Sequence, residues 1–395
     1  MRIALYISTP FIPDVFYAWG GGKAIFLKIR RFLLILGCCV LLILSSSSCR
    51  KHKTSQETAP ISFNLSFAFA TDLPPYLTVE HQGQTTRTDE EQYSFRYTVK
   101  FYPRLSDGTF SRTENDDYTL ILTKDDISSL DYSTKALLPE GNWQIRCWAD
   151  YVKKGSKKDL FYETSDFSAI TLPQEHSANT DRKDAFYGSS AVNLVRGKAV
   201  VQTPPEVRLD MERPLAKFQF IATDFDRLLM GVLNEKSAAE AKVSVCTPSQ
   251  LRSDVAPENA WDPSKTAGFE PSDYYLRFSY TTFMPYVFDM FTNKPIDARS
   301  GVQFDSEFTP LSMNEVLMGF DYVLVNGRES SVTVQVGLYE RATNELLSLT
   351  PVMNVPLKRS RVTTVRGDFL TLKFSTDGGI GINPEFDGEY NMALP

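Results

Sequence analysis

Short segments in which apolar and polar residues alternate recur along this 395-residue chain, and they restrict its fold more than any other feature. In the clearest example, Phe63, Leu65, Phe67 and Phe69 alternate with small or polar residues. Alternation with a period of two is typical of a β-strand that buries one face. Further strands are predicted at residues 95–101, 118–123, 143–151, 207–211, 216–222, 241–246, 274–280, 316–325, 332–339, 352–357 and 362–374.

Turn residues separate these segments. Many short strands divided by turns favour an all-β fold made of β-sandwiches. Asn326-Gly327 lies between two predicted strands, and this dipeptide predicts a β-hairpin.

One segment has helical instead of alternating spacing. Thr223 or Asp224 is placed to cap its N-terminus. We therefore predict one short helix, packed against a sheet through the following apolar residues: Phe225, Leu228, Leu229, Val232 and Leu233.

Residues 1–48 have the pattern of a bacterial lipoprotein signal. Arg30 and Arg31 precede an apolar run, Phe32 to Leu44, which is followed by four serines and Cys49. The run is shorter than the roughly 20 residues that a spanning helix needs, and it suits a signal peptide that is removed after export. Cleavage before Cys49 would leave this cysteine to carry acyl chains, which would anchor the protein in a membrane.

Two features leave alternatives open. Ser46 stands three residues before Cys49, where lipoprotein signals usually carry leucine, so an ordinary secretory signal is the alternative. Residues 1–29 are long for the start of a signal, which leaves the true translation start open. Residues 49–60 are polar and lack periodicity, so we predict a flexible tether.

The charge of the chain argues against a nucleic-acid partner. The net charge is −6, and it becomes −10 without residues 1–48, which contain five Lys and Arg and one acidic residue. Nucleic-acid binders concentrate Lys and Arg instead. Of the cysteines outside the signal and Cys49, only Cys147 and Cys246 remain, and they could form a disulfide or stay as buried thiols.

The chain without its signal is long enough for two domains. Pro214 interrupts two alternating segments and marks the boundary between them. We therefore predict an N-terminal β-sandwich at 61–212 and a C-terminal β-sandwich at 213–395.

The motifs in the sequence favour a protein that is not an enzyme and that needs no metal or cofactor. No Cys, His or carboxylate cluster has the spacing of a metal site. Gly188-Ser189-Ser190 lacks the glycine spacing of a nucleophile elbow. Dispersed carboxylates leave a glycoside hydrolase as a weaker alternative.

Two tryptophans are candidates for stacking on sugar rings, although core packing is the ordinary role of a tryptophan. Trp148 falls on the strand face opposite Trp143 and Ile145, so it is the better surface candidate of the two tryptophans in this strand. Trp261 is the second candidate. They would support an alternative function, a glycan-binding lipoprotein of a nutrient-uptake system.

Several short motifs occur in a characteristic order along most of the chain: Trp148–Tyr151, Asp184–Gly188, Glu212–Lys217, Met284–Phe288, Phe291–Asn293, Val362–Thr371 and Pro384–Gly388. Together they resemble the fimbrillin-like lipoproteins of Bacteroidales bacteria, in a branch of uncharacterised function. The resemblance implies tandem transthyretin-like β-sandwiches and a role as a fimbrial subunit or adhesin.

The resemblance also implies a way of assembly, in which subunits donate a strand to each other after a protease cuts behind an arginine. Arg87 follows the first predicted strand within a polar segment and is the candidate cleavage site. Cleavage there would release the strand at 63–69, and main-chain hydrogen bonds would bind a replacement. An ordinary exposed arginine, or an anchor subunit that is never cut, is the alternative.

The expected partners are the membrane, through the lipid anchor, and other fimbrial subunits or ligands on host or bacterial surfaces. The expected location is the outer membrane. The sequence does not decide between the cell-surface and the periplasmic face of this membrane. Surface export signals in these bacteria are often acidic after the lipid cysteine, whereas Arg50–Lys53 is basic.

Overall fold

A computed structural model of the protein describes residues 59–69, 92–196, 204–231 and 269–371. They all belong to one compact unit that spans Ala59–Pro395. The all-β prediction is confirmed, because nineteen strands make up most of the described residues. Short 3-10 helices lie at Asp116–Tyr118, Asp181–Lys183 and Pro271–Asp273.

The first sandwich consists of two sheets. The strands of the first half are β1 (Ile61–Phe69), β2 (Tyr93–Pro103), β3 (Thr119–Lys124), β4 (Tyr132–Leu138), β5 (Gly141–Lys153), β6 (Ile170–Thr171), β7 (Ala185–Leu194) and β8 (Glu206–Met211). One sheet has the order β4-β1-β8 and the other β3-β2-β5-β7. The apolar side chains that alternate along β1 meet those of β2 and β5 in a core between the sheets.

The second sandwich follows the same plan. The strands of the second half of the chain are β9 (Leu215–Ala222), β10 (Tyr274–Tyr280), β11 (Met284–Asp289), β12 (Lys294–Arg299), β13 (Gln303–Ser306), β14 (Thr309–Pro310), β15 (Val316–Leu324), β16 (Glu329–Glu340), β17 (Leu346–Leu349), β18 (Met353–Lys358) and β19 (Val362–Gly367). One sheet has the order β14-β15-β9-β19, and the other β13-β10-β16-β17 with β18 also paired to β16.

The two sandwiches share one connectivity. In the first, β1 pairs antiparallel with β4 and parallel with β8, the last strand. In the second, β9 pairs antiparallel with β15 and parallel with β19, the last strand that the structure describes. The facing sheets match as well, because β2 and β10 each lie between two antiparallel neighbours. The structure therefore contains tandem β-sandwiches, as the resemblance implied.

A small third sheet joins the two halves of the chain. Its order is β12-β11-β6, so a strand from the first half pairs with β11 from the second. The core of the second sandwich also includes first-half side chains such as Tyr102, Trp148 and Phe167. Since these contacts cover the outer side of β2 and β5, both faces of their sheet are buried. The domain boundary after Glu212 stays a proposal.

The predicted helix is present at 225–231. Phe225, Leu228 and Leu229 are buried, as predicted, while Val232 and Leu233 lie outside the described residues. The main-chain carbonyl of Asp224 accepts the first helical hydrogen bond, from the Leu228 amide. Its carboxylate instead accepts hydrogen bonds from the amides of residues 369–371. Asp224 therefore joins the start of the helix to the segment after β19.

The predicted hairpin at Asn326-Gly327 is wrong. β15 and β16, which flank this turn, lie in opposite sheets and do not pair with each other. The glycine does supply the left-handed backbone that the dipeptide indicates, with φ of 79° at Gly327. The dipeptide therefore identified the turn, but this turn passes from one sheet to the other.

Candidate functional site

Most of the predicted functional residues lie outside the described part of the chain. This holds for the lipidation candidate Cys49, the cleavage candidate Arg87, the stacking candidate Trp261, and Cys246. Cys147 is a free cysteine that is fully buried in the core of the first sandwich. Among the described residues, no group of three or more Cys, His or acidic side chains is placed to bind a metal ion.

Trp148 is not a surface residue, although its place on the strand made it the better surface candidate. Trp143 and Trp148 do lie on opposite faces of β5, but their side chains are 4% and 0% exposed. Trp148 packs against Tyr162 and Phe288, with ring centroids 5.2 and 6.0 Å apart. The surface assignment assumed that one face of the sheet is exposed to solvent, whereas both faces of β5 are covered. Trp148 therefore has no surface on which a sugar could stack.

The residues of two sequence motifs meet at the junction of the sandwiches. Arg213 Nε lies 2.8 and 2.9 Å from the carboxylate oxygens of Asp184, and both residues are nearly fully buried. The Arg213 guanidinium also lies over the ring of Phe186, 4.7 Å from its centroid. Lys217 Nζ donates to Asp181 at 2.7 Å, and Tyr322 donates to the same carboxylate. These motifs thus encode paired charges that join the sandwiches.

Gly188, in one of these motifs, lies where β7 passes close to β8. A Cβ atom at this position would be 2.7 Å from the sulfur of Met211 and 3.1 Å from the carbonyl oxygen of Asp210. Both distances are shorter than ordinary van der Waals contacts. A glycine here therefore permits the close approach of the two strands.

A second buried pair joins β2 to β5. Arg96 donates to both carboxylate oxygens of Asp150, from Nε at 2.9 Å and from Nη2 at 2.7 Å. Its Nη1 reaches Asp159 at 2.7 Å and the carbonyl of Lys157. Arg96 thus binds the loop after β5, and a bidentate geometry of this kind is the strongest form of such a pair.

Asp321 on β15 is a fully buried carboxylate. Its carboxylate accepts hydrogen bonds from Lys183 at 2.6 Å, His176 at 2.7 Å and Tyr280 at 2.6 Å. Burial alone would raise the pKa of Asp321, but the charge of Lys183 and the hydrogen bonds from His176 and Lys183 outweigh burial and hold the pKa at about 2. Burial lowers the pKa of Lys183, and Asp321 opposes that change. Asp321 therefore bridges segment 176–183 to the second sandwich.

His176 fits this site as a neutral ring. Its Nε2 lies beside the Asp321 carboxylate, and Arg299 Nη2 lies 3.3 Å from its Nδ1. Since a guanidinium can only donate, Nδ1 accepts and Nε2 carries the proton. Burial lowers the pKa of His176 from its ordinary value of 6.5, with Asp321 opposing and Lys183 and Arg299 adding to the decrease.

This geometry predicts that the contribution of His176 to the free energy of unfolding falls as the pH is lowered from about 8 to about 5. The unfolded chain takes up a proton at the ordinary pKa of histidine, whereas the folded protein resists protonation of His176. The stabilisation linked to neutral His176 is therefore complete above the ordinary pKa of histidine. It is lost as the pH falls through that value towards the lower pKa that His176 has in the folded protein. Denaturant titrations at several pH values measure the effect.

Between pH 8 and pH 5, the free energy of unfolding of the His176→Gln variant should rise relative to that of the unaltered protein. His52→Gln, in the predicted tether, is the matched control and should leave the dependence unchanged. An equal slope in the His176→Gln variant and the unaltered protein would contradict the prediction.

These buried groups are paired with each other and hold segments together, so the candidate functional surface lies elsewhere, on the β4-β1-β8 sheet. Its outer face is exposed along β4 and β8, with Lys135, Leu137 and Arg208 among its side chains. On the outer face of β1 Ser62 is exposed, and the residues that follow it on this face are half-buried. Its inner face contributes Phe63, Leu65 and Phe67, each at most 2% exposed. β1 is the middle strand and lies at the start of the described chain.

The register of β1 shows how completely it is paired. Along β4 the pairs run from Ile61 opposite Leu138 to Phe67 opposite Tyr132. Along β8 they run from Asn64 opposite Glu206 to Phe69 opposite Met211. Removing this strand would leave a slot with unpaired backbone groups on both sides and an apolar floor.

The chain belongs to a protein family described as a family of unknown function (DUF6562), which matches residues 57–395. No curated protein matches it. Among the described residues, none of the helices has the length and apolar character needed to cross a membrane.

Comparison with solved structures found similarity to fimbrial proteins. The chain has 11% sequence identity and a TM-score of 0.34 with the fimbrial anchor protein Mfa2 from Porphyromonas gingivalis, over 74% of this chain and 82% of that chain. For a fimbrial assembly protein from Parabacteroides distasonis the identity is 10% and the TM-score is 0.33, over 80% of this chain and 93% of that chain. For the tip fimbrial protein Mfa3 from Porphyromonas gingivalis the identity is 11% and the TM-score is 0.33, over 75% of this chain and 81% of that chain.

Proposed function

We propose that this protein is a non-enzymatic subunit, structural or adhesive, of a fimbria-type assembly in the cell envelope. A lipid on Cys49 would hold it in the outer membrane, and other fimbrial subunits or surface ligands would be its partners. The lipoprotein pattern of residues 1–49 and the ordered fimbrillin-like motifs support this proposal. The tandem sandwiches supply the matching scaffold.

One structural observation carries the proposal further, namely the position of β1. A first strand that lies in the middle of its sheet can leave without breaking any other connection of the chain, once the segment behind it is cut. The slot between β4 and β8 would then accept a strand from another subunit through main-chain hydrogen bonds, while alternate side chains fill the apolar floor. Contacts of this head-to-tail kind need not close, so they build filaments.

The cleavage experiment tests this proposal directly. The purified full chain, in mild detergent, is treated with an arginine-specific protease and examined by electron microscopy. We expect cleavage after Arg87 and the formation of filaments, because the release of β1 opens a slot that only a strand of the right pattern can fill. Mass spectrometry should show loss of the segment that contains β1.

The matched control is Arg87→Gln, which keeps the length and polarity of the segment but removes the cleavage site. This variant should stay uncut there and remain without filaments under the same conditions. Resistance of the unaltered chain at Arg87 in the folded protein would contradict the cleavage step. Complete cleavage without exchange of β1 or filaments would contradict strand donation.

A further inference from the structure

A cleft of about 530 Å³ lies where β8 leads into the second sandwich. Three turns of that sandwich surround it, between β11 and β12, between β15 and β16, and between β18 and β19. Its volume falls within the roughly 300–1,000 Å³ of small-molecule sites. The lining residues share a polar or glycine character: Glu212, Arg213, Thr292, Asn293, Lys294, Gly327, Arg328, Arg359 and Ser360.

The cleft is positively charged, although the chain as a whole is acidic. Arg213 is neutralised by Asp184. Lys294, Arg328 and Arg359, by contrast, have no ion-pair partner among the residues that the structure describes. Glu212 is the one carboxylate in the lining. A positive field in a concave site raises the local concentration of anions.

Arg359 holds the three turns together. Its Nη1 donates to the side-chain oxygen of Asn293 at 2.8 Å and to the Tyr187 hydroxyl at 3.2 Å. Its Nη2 donates to the carbonyl of Val325 at 3.0 Å. All these acceptors are neutral, so a half-buried guanidinium keeps its full charge beside the cleft.

The backbone of the three turns is fixed in a less common conformation. Asn293, Gly327 and Ser360 have φ values of 57°, 79° and 63°. Side chains other than glycine adopt this left-handed region at a cost in free energy, and such residues concentrate at binding sites. The Arg359 amide also donates to the Arg328 carbonyl at 2.9 Å, which links two of the turns. The cleft is therefore preformed and needs little reordering to bind a ligand.

We propose that this cleft binds a sugar acid, as the free acid or as the end unit of an acidic glycan. The uncompensated cations match a carboxylate, which Arg binds with particularly good geometry. The hydroxyl and amide groups of Thr292, Asn293 and Ser360 suit ligand hydroxyls, and the lining offers no apolar side chain to a peptide. This site is separate from the β4-β1-β8 sheet, so it does not depend on strand donation.

Titration calorimetry of the full chain with D-glucuronate tests the proposal. D-glucose serves as the uncharged control sugar, and sulfate serves as a control anion without a sugar ring. We expect saturable binding of glucuronate that weakens at high salt, and at least tenfold weaker binding of glucose and of sulfate. An oligosaccharide with a terminal uronate tests the glycan source, and it should bind at least as tightly as the free acid.

Two exposed cations provide the variant. Lys294→Gln combined with Arg328→Gln should weaken glucuronate binding by about tenfold or more, since a hydrogen bond to a charged group contributes on that scale. The matched control is Lys154→Gln with Lys158→Gln, which removes two exposed cations from the loop after β5 and should leave binding unchanged.

Three results would overturn the proposal. They are no saturable binding of glucuronate, equal binding of sulfate, which would indicate a general anion site, and equal losses in the two double variants. None of these results would bear on filament formation after cleavage at Arg87, so failure of this inference and failure of the proposed function can be told apart.

Discussion

Replacing Asp321 with alanine is expected to lower the free energy of unfolding by about 3–5 kcal/mol, the usual effect of removing one partner from a buried ionic site. The carboxylate is fully buried and accepts hydrogen bonds from Lys183, His176 and Tyr280. Its loss leaves a buried ammonium group without a counterion. Denaturant unfolding followed by tryptophan fluorescence measures the change.

Asp305→Ala is the matched control for this variant. Asp305 also pairs with an arginine, Arg277, but the two side chains are 52% and 34% exposed. Exposed pairs contribute about 0–1 kcal/mol, so this variant should unfold nearly as the unaltered protein does. If the two variants lost equal stability, the Asp321 site could not be the central electrostatic link between segment 176–183 and the second sandwich.

Replacing Trp148 with alanine is expected to cost about 3–5 kcal/mol of unfolding free energy, because it leaves a large cavity in a packed core. The side chain is fully buried between the sheet of the first sandwich and the ring of Phe288 in the third sheet. The same measurement serves here, with circular dichroism replacing fluorescence because a tryptophan is lost.

The control for Trp148 is an aromatic residue on the surface. Phe283 is 67% exposed, so Phe283→Ala should change stability by no more than about 0.5 kcal/mol. A Trp148→Ala variant as stable as Phe283→Ala would show that Trp148 is not a packing residue, and it would return a surface role to this side chain.

The strands were predictable from the sequence where one face meets a core and the other meets water. β1 follows this rule, with Phe63, Leu65 and Phe67 inside and Ser62 outside. β4 and β7 were among the strands missed, because the exposed Leu137 in β4 and Gly188 in β7 interrupt the apolar pattern. Local propensity cannot report that a neighbouring strand makes such a residue acceptable.

The sequence located strands more readily than it indicated which strands pair with each other. Asn326-Gly327 fixed a turn correctly, but a dipeptide contains no information about which sheet the next strand joins. The exposure of Trp148 was misjudged for a related reason. Alternation shows that β5 has two different faces, yet only the fold shows that a second sandwich covers the outer one.

The buried site around Asp321 and the cleft beside Arg359 are each formed by residues that lie far apart in the chain. Asp321 binds His176, which is 145 positions away, and Arg359 reaches Tyr187 across 172 positions. Such contacts leave no signal in the spacing of a single sequence. The motifs containing Asp184 and Arg213 did indicate importance, and the structure supplies the physical reason, since these two side chains form one buried pair.

The parallel pairing of β1 with β8 has a kinetic consequence. Each sandwich can close only when its last strand finds its first, so the search spans nearly the whole module and folding is slow relative to chains with local contacts. During that interval β1 has an apolar face and one unpaired edge, since β4 can pair with it before β8 does. A chaperone that binds such a segment during export, or a neighbouring subunit that captures it, would compete with intramolecular closure for the same strand.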